Sequence, residues 1–380
     1  MIYFDNASTT FPKPEAVYQE MDFWLRHANA NPNRGAYQLT ISATDKVFGT
    51  REKLATLFNI ENPLRIVFTS NGTEALNLAL KGILKAGDHV ITTSMEHNSM
   101  IRPIMKLAEI GVEYTIVSGD ESGFVSVDKI QEAIRSNTKL IAMIHASNVT
   151  GTLQPITEVG HLARQNNLLF LVDAAQTAGT YPIDVEKMKI DLLAAPGHKS
   201  LMGPQGTGFL YIREGPCLQS LKEGGTGNQS EILQQPENMP ERYESGTLNT
   251  PGIVGLGAGV GFILDVGVEQ ILGHKQQLMD YFLNGISSLP LKICGKPQLG
   301  VVSLQLEQFE ASDLSYLLDE AFKIATRSGL HCAPLAHQTL KTQESGTVRF
   351  SFGYFNTISE LDIALEALQK ICEMTANDKN

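Results

Sequence analysis

The sequence predicts an α/β protein with a largely parallel central sheet. Short apolar runs alternate with segments of helical periodicity through the first two thirds of the chain. This alternation is typical of a parallel sheet that is covered by helices on both faces. After about residue 250 the pattern changes. Because 380 residues exceed one ordinary core, we expect a large domain followed by a smaller α+β domain.

Seven apolar runs have the length and composition of buried β-strands. They cover residues 66–69, 89–93, 112–117, 140–145, 168–172, 192–194 and 208–212. Helical periodicity lies between them at 74–84, 101–109, 127–135 and 156–166. These segments predict a mainly parallel seven-stranded sheet, and ligands of such sheets bind beyond the carboxyl ends of the strands.

The last third of the chain predicts the smaller domain. Residues 250–265 are apolar and Gly-rich, and they predict the start of a long helix that leads out of the large domain. Further strands are predicted at 291–294, 301–305, 324–326 and 348–351, and helices at 313–322 and 358–374. The polar segment 224–244 is predicted to be a loop.

Composition and charge favour a globular protein and disfavour binding to nucleic acid. Hydrophobic residues make up 42% of the chain and charged residues 19%, which is typical of a globular protein. The net charge is −11 and no long basic run occurs, so binding to nucleic acid is disfavoured. A local basic pocket for one small anion remains compatible with this charge.

The ends and the cysteines favour the cytoplasm. The N-terminus lacks a basic region followed by an apolar stretch, and no window of about 18 apolar residues occurs, so neither a signal peptide nor a membrane span is expected. The four cysteines are Cys217, Cys294, Cys332 and Cys372. Their wide spacing argues against a metal site or a disulfide framework and for a reducing compartment.

Asp173 directly follows the apolar run 168–172 and would lie at the carboxyl edge of the sheet. A buried carboxylate there needs a cationic partner, because an unpaired buried charge is costly. A protonated pyridine nitrogen would be such a partner. The alternative is that Asp173 is an ordinary helix N-cap.

Lys199 follows the strand at 192–194 and a Pro196-Gly197 turn. A lysine that forms a Schiff base must be unprotonated when it attacks and must be held by a fixed turn. Taken alone, the alternative that Lys199 is a surface lysine in a loop is favoured.

Two further features follow strand ends. Gly72 and Thr73 open a helix after the strand at 66–69, and their backbone N–H groups with the Thr73 hydroxyl would bind a phosphate. Thr73 is equally compatible with a plain N-cap. His97 follows the strand at 89–93 and could stack on a flat heteroaromatic ring, although a histidine at such a position is more often structural.

The order of these features resembles the class V aminotransferase family of pyridoxal-phosphate (PLP) enzymes, which have fold type I. A phosphate-type turn is followed by His97, Asn148, a strand that ends in Asp173, and His198-Lys199. The most specific part of the match combines residues 173–176 (DAAQ) with residues 197–199 (GHK).

Within that family the chain resembles the cysteine desulfurases and selenocysteine lyases. The resemblance begins with YFDNASTT at 3–10 and reaches VRFSF at 348–352, with NT at 356–357. Two more motifs support it, ESGTLNT at 244–250 and RSGLHCA at 327–333. It therefore covers nearly the whole chain.

The resemblance implies PLP as the cofactor and assigns residues to its ring. Lys199 would form the Schiff base with PLP and move the α-proton of the substrate. Asp173 would pair with the pyridine nitrogen, and Gln176 would form a hydrogen bond with the phenolic oxygen. His97 would stack on the ring and assist proton transfer.

The resemblance also implies a phosphate site that is shared between two chains. Gly72, Thr73 and His198 would bind the phosphate within one chain. Thr247 would complete the site of the neighbouring subunit, which would make the protein an obligate homodimer.

The substrate implied by the resemblance is L-cysteine, or L-selenocysteine. Asn148, Arg327 and Arg349 would hold the substrate, because the planar guanidinium fork of arginine matches a carboxylate. Cys332 would take the sulfur as a persulfide and release alanine. Desulfurases of this kind serve sulfur mobilisation and iron–sulfur cluster assembly.

Cys332 needs separate consideration, because a lone cysteine is usually a small buried hydrophobe. Cys332 lies five positions after Arg327, and nearby cations favour the reactive thiolate form. Only 17 positions separate Cys332 from Arg349, so the loop between them is short. A short loop resembles the group II desulfurases, which commonly need a dedicated sulfur-acceptor protein.

Two positions depart from the family pattern. Pro196 stands where many relatives have a phosphate-binding serine, and Leu248 stands where relatives often have proline. One phosphate hydrogen bond is therefore expected to be missing or replaced.

The resemblance implies three parts of the chain and leaves rival functions open. An N-terminal segment 1–15 would pack near the small domain, 16–255 would form the PLP-binding domain, and 256–380 would carry Cys332 and Arg349. The rival functions are selenocysteine lysis, another class V reaction such as transamination, and a non-catalytic partner in sulfur trafficking.

Overall fold

A computed structural model describes residues 1–307 and 309–377. Residues 308 and 378–380, which belong to the predicted small domain, lie outside the described residues. The strands are β1 (Ile2–Tyr3), β2 (Ile66–Thr69), β3 (His89–Thr93), β4 (Glu113–Val117), β5 (Thr138–Ile144), β6 (Leu169–Asp173), β7 (Leu192–Pro196), β8 (Gly208–Ile212), β9 (Leu291–Cys294), β10 (Val301–Leu306), β11 (Ile324–Ala325), β12 (Arg327–Gly329) and β13 (Thr347–Ser351).

The helices connect these strands and pack on them. They are α1 (Glu15–Phe23), α2 (Gln38–Phe58), α3 (Gly72–Ile83), α4 (Asn98–Ala108), α5 (Val127–Glu132), α6 (Ile156–Gln165), α7 (Thr250–Val266), α8 (Val268–Ile286), α9 (Ala311–Phe322), α10 (Pro334–Thr339) and α11 (Ile358–Asn377). A π-helical turn follows α1 at Trp24–Ala28, and a 3-10 turn precedes β2 at Pro63–Arg65.

The large sheet has seven strands in the order β2-β8-β7-β6-β5-β3-β4. All its pairings are parallel except those of β8 with β2 and with β7. The predicted α/β fold with a mainly parallel seven-stranded sheet is therefore confirmed. The seven predicted strands all occur, and their ends differ from the predicted ones by at most two residues.

The strands of this sheet are continuously apolar because both faces are covered. Along β5, Leu140 and Ala142 point into the core that also contains residues of α3 and α4. The alternate residues Ile141 and Met143 point into the opposite core, which contains residues of α2, α6 and α7. The loop predicted at 224–244 contains no helix or strand, and each of its residues is described.

The helix predicted at 250–265 does not continue as one long helix. It ends at Val266, and α8 begins at Val268 with the two axes bent by 82°. Gly267 between them has a φ of +92°, a left-handed value that favours glycine and interrupts the helix. The predicted boundary between residues 255 and 256 falls within α7, whose Val260 and Ile263 both pack in the large-sheet core.

A second sheet of four strands has the order β12-β13-β10-β9, and its core includes residues of α8, α9 and α11. The first residues of the chain pack here. Strand β1 pairs with β11, and Phe4 is fully buried in this core. Asp5 forms an isolated bridge with Ser351 of β13.

Among the described residues, no single helix is long and apolar enough to cross a membrane. Helices α7 and α8 reach that length and apolarity only as a bent pair.

Candidate active site

A cavity of about 230 Å³ lies beyond the carboxyl ends of β2, β3, β5, β6 and β7. It brings together most of the residues that the sequence singled out: Gly72, Thr73, His97, Asn148, Asp173, Gln176, His198, Lys199 and Arg327. Three predicted site residues are not among its lining residues, namely Thr247, Cys332 and Arg349.

Lys199 lies on the turn after β7, and the N-terminal segment holds this turn in place. Thr10 donates a hydrogen bond from Oγ1 to the carbonyl oxygen of Lys199 at 2.9 Å. The carbonyl oxygen of His198 accepts hydrogen bonds from Thr9 Oγ1 at 3.2 Å and from Lys13 Nζ at 2.7 Å. These bonds give Lys199 the fixed backbone that an attacking amine requires.

Burial lowers the pKa of Lys199 to about 8, although the nearby Asp173 raises it in part. Its usual value is 10.5. About a tenth of the side chain is therefore the neutral amine at pH 7, and this is the form that attacks a carbonyl carbon.

Asp173 is the last residue of β6 and is 2% exposed. Its Oδ1 accepts a hydrogen bond from the backbone N–H of Ala175 at 2.9 Å. Burial raises the pKa of the carboxyl group, and the hydrogen bond and Lys199 oppose this effect. Among the described residues Asp173 forms no ion pair, so its charge calls for a cation inside the cavity.

The first turn of α3 borders the cavity and leaves two donors available. Asn71 caps the helix by accepting a hydrogen bond from the Glu74 N–H at 2.9 Å. The N–H groups of Gly72 and Thr73 find no acceptor among the described residues. A Cβ atom at Gly72 would lie 3.1 Å from Cδ of Pro196, so only glycine allows this close approach without a shift. These free donors at a helix N-terminus suit a phosphate.

His97 is the N-cap of α4, and its ring nitrogen Nδ1 accepts a hydrogen bond from the Ser99 N–H at 3.1 Å. Burial lowers the pKa of His97 to about 4, so the ring is neutral. Because Nδ1 is the acceptor, the proton of the neutral ring is on Nε2. Burial also lowers the pKa of His198 to about 4, and its Nδ1 is buried without a partner among the described residues.

Gln176 and Asn148 each have part of their amide group engaged. Gln176 donates a hydrogen bond from Nε2 to the carbonyl oxygen of Ala7 at 3.1 Å. Asn148 donates from Nδ2 to the carbonyl oxygen of His331 at 2.8 Å, while its Oδ1 is buried without a partner among the described residues. Asn148 thus joins the cavity to the loop that carries Cys332.

Arg349 is fully buried on β13, and its guanidinium group is largely engaged. Its Nη1 donates to the carbonyl oxygen of Asn148 at 2.9 Å, and its Nη2 donates to Asp5 Oδ1 at 2.7 Å. Its Nε is buried without a partner among the described residues. Arg349 therefore contacts the backbone of a cavity residue, whereas Arg327 lines the cavity itself.

Cys332 is exposed beside the cavity, and its sulfur accepts a hydrogen bond from Arg327 Nη2 at 3.3 Å. His331 and Cys332 both have left-handed backbone conformations, with φ values of +48° and +59°. Such conformations are costly for residues other than glycine and are typical of functional sites. The carbonyl oxygen of Cys332 accepts a hydrogen bond from the Asn98 N–H at 2.8 Å, which docks the loop next to His97.

Thr247 is exposed in the segment that follows the buried Glu244. Glu244 Oε2 forms an ion pair with Arg51 Nη2 at 2.6 Å, and its Oε1 accepts a hydrogen bond from the Phe68 N–H at 2.5 Å. Two bonds from one carboxylate therefore anchor this exposed segment to the large domain.

The structure adds three residues that the sequence did not single out individually. Asp5 and Ser8 contact Arg349, and Glu96 is fully buried next to the site. Glu96 Oε1 accepts hydrogen bonds from Thr93 Oγ1 at 2.6 Å and from the Ile144 N–H at 3.0 Å. Asp5 and Ser8 had only their place in the motif YFDNASTT as a signal, because their partner Arg349 is distant in the chain. For Glu96 the only local signal was its place between the strand at 89–93 and His97.

Comparisons with known proteins agree on one family. Residues 2–364 match the family model described as aminotransferase class V. A protein of Methanothermobacter thermautotrophicus named probable cysteine desulfurase is 37% identical over 382 residues, which cover 98% of this chain and 95% of that protein.

Two solved structures are similar over almost their full length. The apo structure of a cysteine desulfurase from Thermococcus onnurineus NA1 has a TM-score of 0.92 at 33% identity, with 98% of this chain and 94% of that chain covered. The cysteine desulfurase CsdA of Escherichia coli has a TM-score of 0.88 at 26% identity, with coverage of 98% and 94%.

These comparisons confirm the resemblance that the sequence motifs indicated. The fold is the type I fold of PLP-dependent enzymes, and the relatives are enzymes named cysteine desulfurases. The chain belongs to the class V aminotransferase family, within which it groups with the cysteine desulfurases.

Proposed function

We propose that the protein is a PLP-dependent cysteine desulfurase that transfers the sulfur of L-cysteine to Cys332. The observation that supports this most directly is the contact between Cys332 and Arg327. Arg327 lines the cavity that also contains Lys199 and Asp173, and it donates a hydrogen bond to the Cys332 sulfur at 3.3 Å. A thiol in this place is next to a cation and exposed, as a sulfur-accepting nucleophile needs to be.

The residues around the cavity fit PLP. A buried carboxylate without an ion pair matches a protonated ring nitrogen, and Lys199 is a partly neutral amine on a fixed turn. The free N–H groups of Gly72 and Thr73, with His198, would hold the phosphate. Pro196 offers neither a hydroxyl nor an N–H group there, so the number of donors is smaller than with a serine.

The remaining cofactor contacts would come from Gln176 and His97. Gln176 keeps one N–H of its amide for the phenolic oxygen, since Ala7 uses the other. His97 is a neutral ring that can stack on the cofactor. When bound, PLP would stabilise the electrons left at the substrate Cα after its proton is removed.

The residues of this chain then have defined tasks in the reaction. Lys199 Nζ accepts the α-proton of L-cysteine as the neutral amine. The sulfur of Cys332 attacks the sulfur of the substrate, so an S–S bond forms while the substrate S–Cβ bond breaks. The electron pair of the broken bond stays with Cβ, which takes up a proton. The products are L-alanine and a persulfide on Cys332, and the equation balances without another oxidant or reductant.

Arg327, Arg349 and Asn148 are proposed to bind the substrate. Two guanidinium groups next to one carboxylate, Asp5, leave an excess of positive charge that favours a second carboxylate. Arg327 lines the cavity and is the more direct contact. Arg349 would bind the substrate carboxylate through its unpartnered Nε, or through Nη2 if the substrate carboxylate replaces Asp5 there.

We also propose a homodimer in which Thr247 completes the phosphate site of the partner. Thr247 is exposed on an anchored segment, and the side chains of Tyr37, Leu39 and Leu233 are 55%, 49% and 98% exposed. A dimer would cover such apolar surface. Lys199→Ala subunits lack the amine, and Thr247→Ala subunits lack one donor to the partner's phosphate. Mixing the two should restore activity above that of either variant alone, because each hybrid contains one intact site. No restored activity would contradict the shared site.

The three-part domain division is proposed on the basis of packing. Residues 1–15 would belong with the small domain, as the burial of Phe4 and the pairing of β1 with β11 suggest. Residues 16–255 would form the PLP-binding domain and 256–380 the small domain, each with a main core of its own, while residues of α7 and α10 within 256–380 also pack in the core of the large sheet.

The short loop around Cys332 supports a group II desulfurase that passes its sulfur to an acceptor protein. A cysteine that must stay a free thiol between turnovers suits a reducing compartment, so we propose a cytoplasmic enzyme that supplies iron–sulfur cluster assembly. An acceptor that binds would raise the rate of alanine formation.

Assay of the purified holoenzyme with L-cysteine and a reductant tests the function. We expect alanine and sulfide in equal amounts. Pyruvate formed from added alanine and a keto acid would instead support a transaminase, and cofactor binding without any turnover would support a non-catalytic role. L-selenocysteine in the same assay distinguishes a selenocysteine lyase from a cysteine desulfurase, because a lyase would turn over L-selenocysteine much faster than L-cysteine.

A further inference from the structure

The hydroxyl group of Ser8 connects both active-site arginines to the N-terminal segment. Its Oγ accepts hydrogen bonds from Arg327 Nη1 at 3.0 Å and from Arg349 Nη2 at 2.9 Å. It donates its own proton to Asp5 Oδ1 at 2.8 Å. A hydroxyl has one donor and two acceptor sites, so these three bonds use its full capacity.

Arg327 has few other contacts that would fix its position. Among the described residues its guanidinium group forms hydrogen bonds only with Ser8 Oγ and with the Cys332 sulfur. A long, half-exposed side chain loses much conformational freedom when it is held in one place, and a single contact at the surface is weak. Ser8 Oγ is itself held by Asp5 and Arg349, so of the two partners it is the one that fixes where Arg327 lies.

The shape of the guanidinium group transmits this position to Cys332. The group is planar and rigid, so holding Nη1 on Ser8 sets the direction of Nη2. Nη2 is the atom that contacts the Cys332 sulfur. Asp5 orients the Ser8 hydroxyl so that both of its lone pairs face the arginines, and Asp5 is itself fixed by Arg349.

We propose that Ser8 is a positioning residue for Arg327. It holds the guanidinium group at the wall of the cavity, which both residues line, and next to the sulfur of Cys332. This inference rests on the proposed function, in which Cys332 receives the substrate sulfur. Ser8 does not react. It keeps the guanidinium group of Arg327 next to the Cys332 sulfur, so that this sulfur is in place to attack before the substrate enters.

Alkylation of Cys332 by iodoacetamide in the holoenzyme without substrate measures this contact directly. Rates at Cys332 and at Cys217, the other exposed cysteine, are followed in one sample by peptide mass spectrometry. Cys217 is the internal control for folding and reagent. The variants are Ser8→Ala, Ser8→Gly, Ser8→Thr, Arg327→Ala and the double variant Ser8→Ala/Arg327→Ala.

We expect alkylation of Cys332 to be about fivefold slower in Ser8→Ala and in Arg327→Ala, the effect of losing one hydrogen bond. The double variant should be no slower than Arg327→Ala, because Ser8 acts through Arg327. Ser8→Thr keeps the hydroxyl and should stay close to wild type. Cys217 should react at the same rate throughout, and Ser8→Gly serves as the second hydroxyl deletion if Ser8→Ala does not fold.

Three results would overturn the inference. These are an unchanged Cys332 rate in both hydroxyl deletions, additive losses in the double variant, or an equal loss in Ser8→Thr. Failure of the proposed function is seen separately, because a wild type that forms no persulfide from L-cysteine contradicts that function whatever the alkylation rates are.

Discussion

Arg327 donates a hydrogen bond from Nη2 to the sulfur of Cys332 at 3.3 Å, and the same arginine lines the cavity that contains Lys199. This contact joins two parts of the chain that fold around different cores. The cavity lies at the edge of the large sheet, whereas Arg327 begins the edge strand β12 of the small sheet. Arg327 therefore links the thiol of Cys332 to the cavity that contains the amine of Lys199.

Cys332→Ala is expected to abolish sulfur transfer without loss of the cofactor. Alanine formation from L-cysteine should fall by about 10²-fold or more, because the attacking sulfur is absent. The visible absorbance of bound PLP should remain, since Cys332 does not line the cavity. Cys217→Ala, which removes the other exposed thiol, should keep full activity. Equal rates for the two variants would show that Cys332 is not the nucleophile.

Loading of the cofactor-free enzyme with PLP is expected to accelerate with pH around the pKa of Lys199. Burial lowers this pKa to about 8, so the neutral amine becomes the major form above that pH. The second-order rate of the absorbance change should rise from pH 6.5, reach half of its maximum near pH 8 and level off above about pH 9. Lys199→Ala should bind PLP without the absorbance change. A rate that is independent of pH across this window would contradict the neutral-amine requirement.

Glu96→Gln is expected to change how stability depends on pH. Burial raises the pKa of Glu96 to about 8 from the ordinary 4.5, so the folded state holds a proton that the unfolded chain loses between these values. The contribution of Glu96 is therefore present below pH 4.5 and is lost as the pH rises towards 8. Glutamine stays neutral, so the free energy of unfolding of the variant should rise relative to wild type from pH 5 to pH 8.

Urea unfolding of wild type and Glu96→Gln at pH 5 and at pH 8 measures this difference in the free energy of unfolding. The matched control is Glu132→Gln at an exposed position, whose difference from wild type should not vary with pH. A constant difference for Glu96→Gln would mean that Glu96 is ionised in the folded protein over the whole range.

Arg51→Ala is expected to destabilise the fold strongly. Its ion pair with Glu244 is buried, with side chains that are 4% and 5% exposed, and removal of one partner leaves the other charge unpaired. The expected loss is about 3–5 kcal/mol in the free energy of unfolding. Lys106→Ala breaks a surface pair whose side chains are 70% and 63% exposed, and it should cost at most about 1 kcal/mol. Similar losses in the two variants would contradict the anchoring role of Arg51.

The large sheet was predictable because its strands are short, continuous apolar runs, and a strand buried on both faces leaves this local signal. Asp173 could be singled out because it stands directly after such a run, whereas the role of Lys199 followed from the resemblance of residues 197–199 (GHK) to the family motif. Helix α2 was not predicted. Several of its buried positions are polar, among them Thr40, Thr50 and Arg51, which hides the apolar periodicity of a buried helix.

The contacts of the arginines could not be predicted from the sequence. Asp5 and Arg349 are 344 positions apart, and only the folded chain brings their charges together. The same holds for Ser8 and Arg327, 319 positions apart. Gly267 was visible as a residue, but its left-handed φ and the bend between α7 and α8 depend on the packing of both helices.

Peptide mass spectrometry of the holoenzyme after a brief exposure to L-cysteine without reductant tests the sulfur transfer most directly. We predict one added sulfur atom on the peptide that contains Cys332, an equal amount of alanine, and no added sulfur on the peptide that contains Cys217. Alanine formation with Cys332 unmodified would contradict the proposal that Cys332 receives the sulfur.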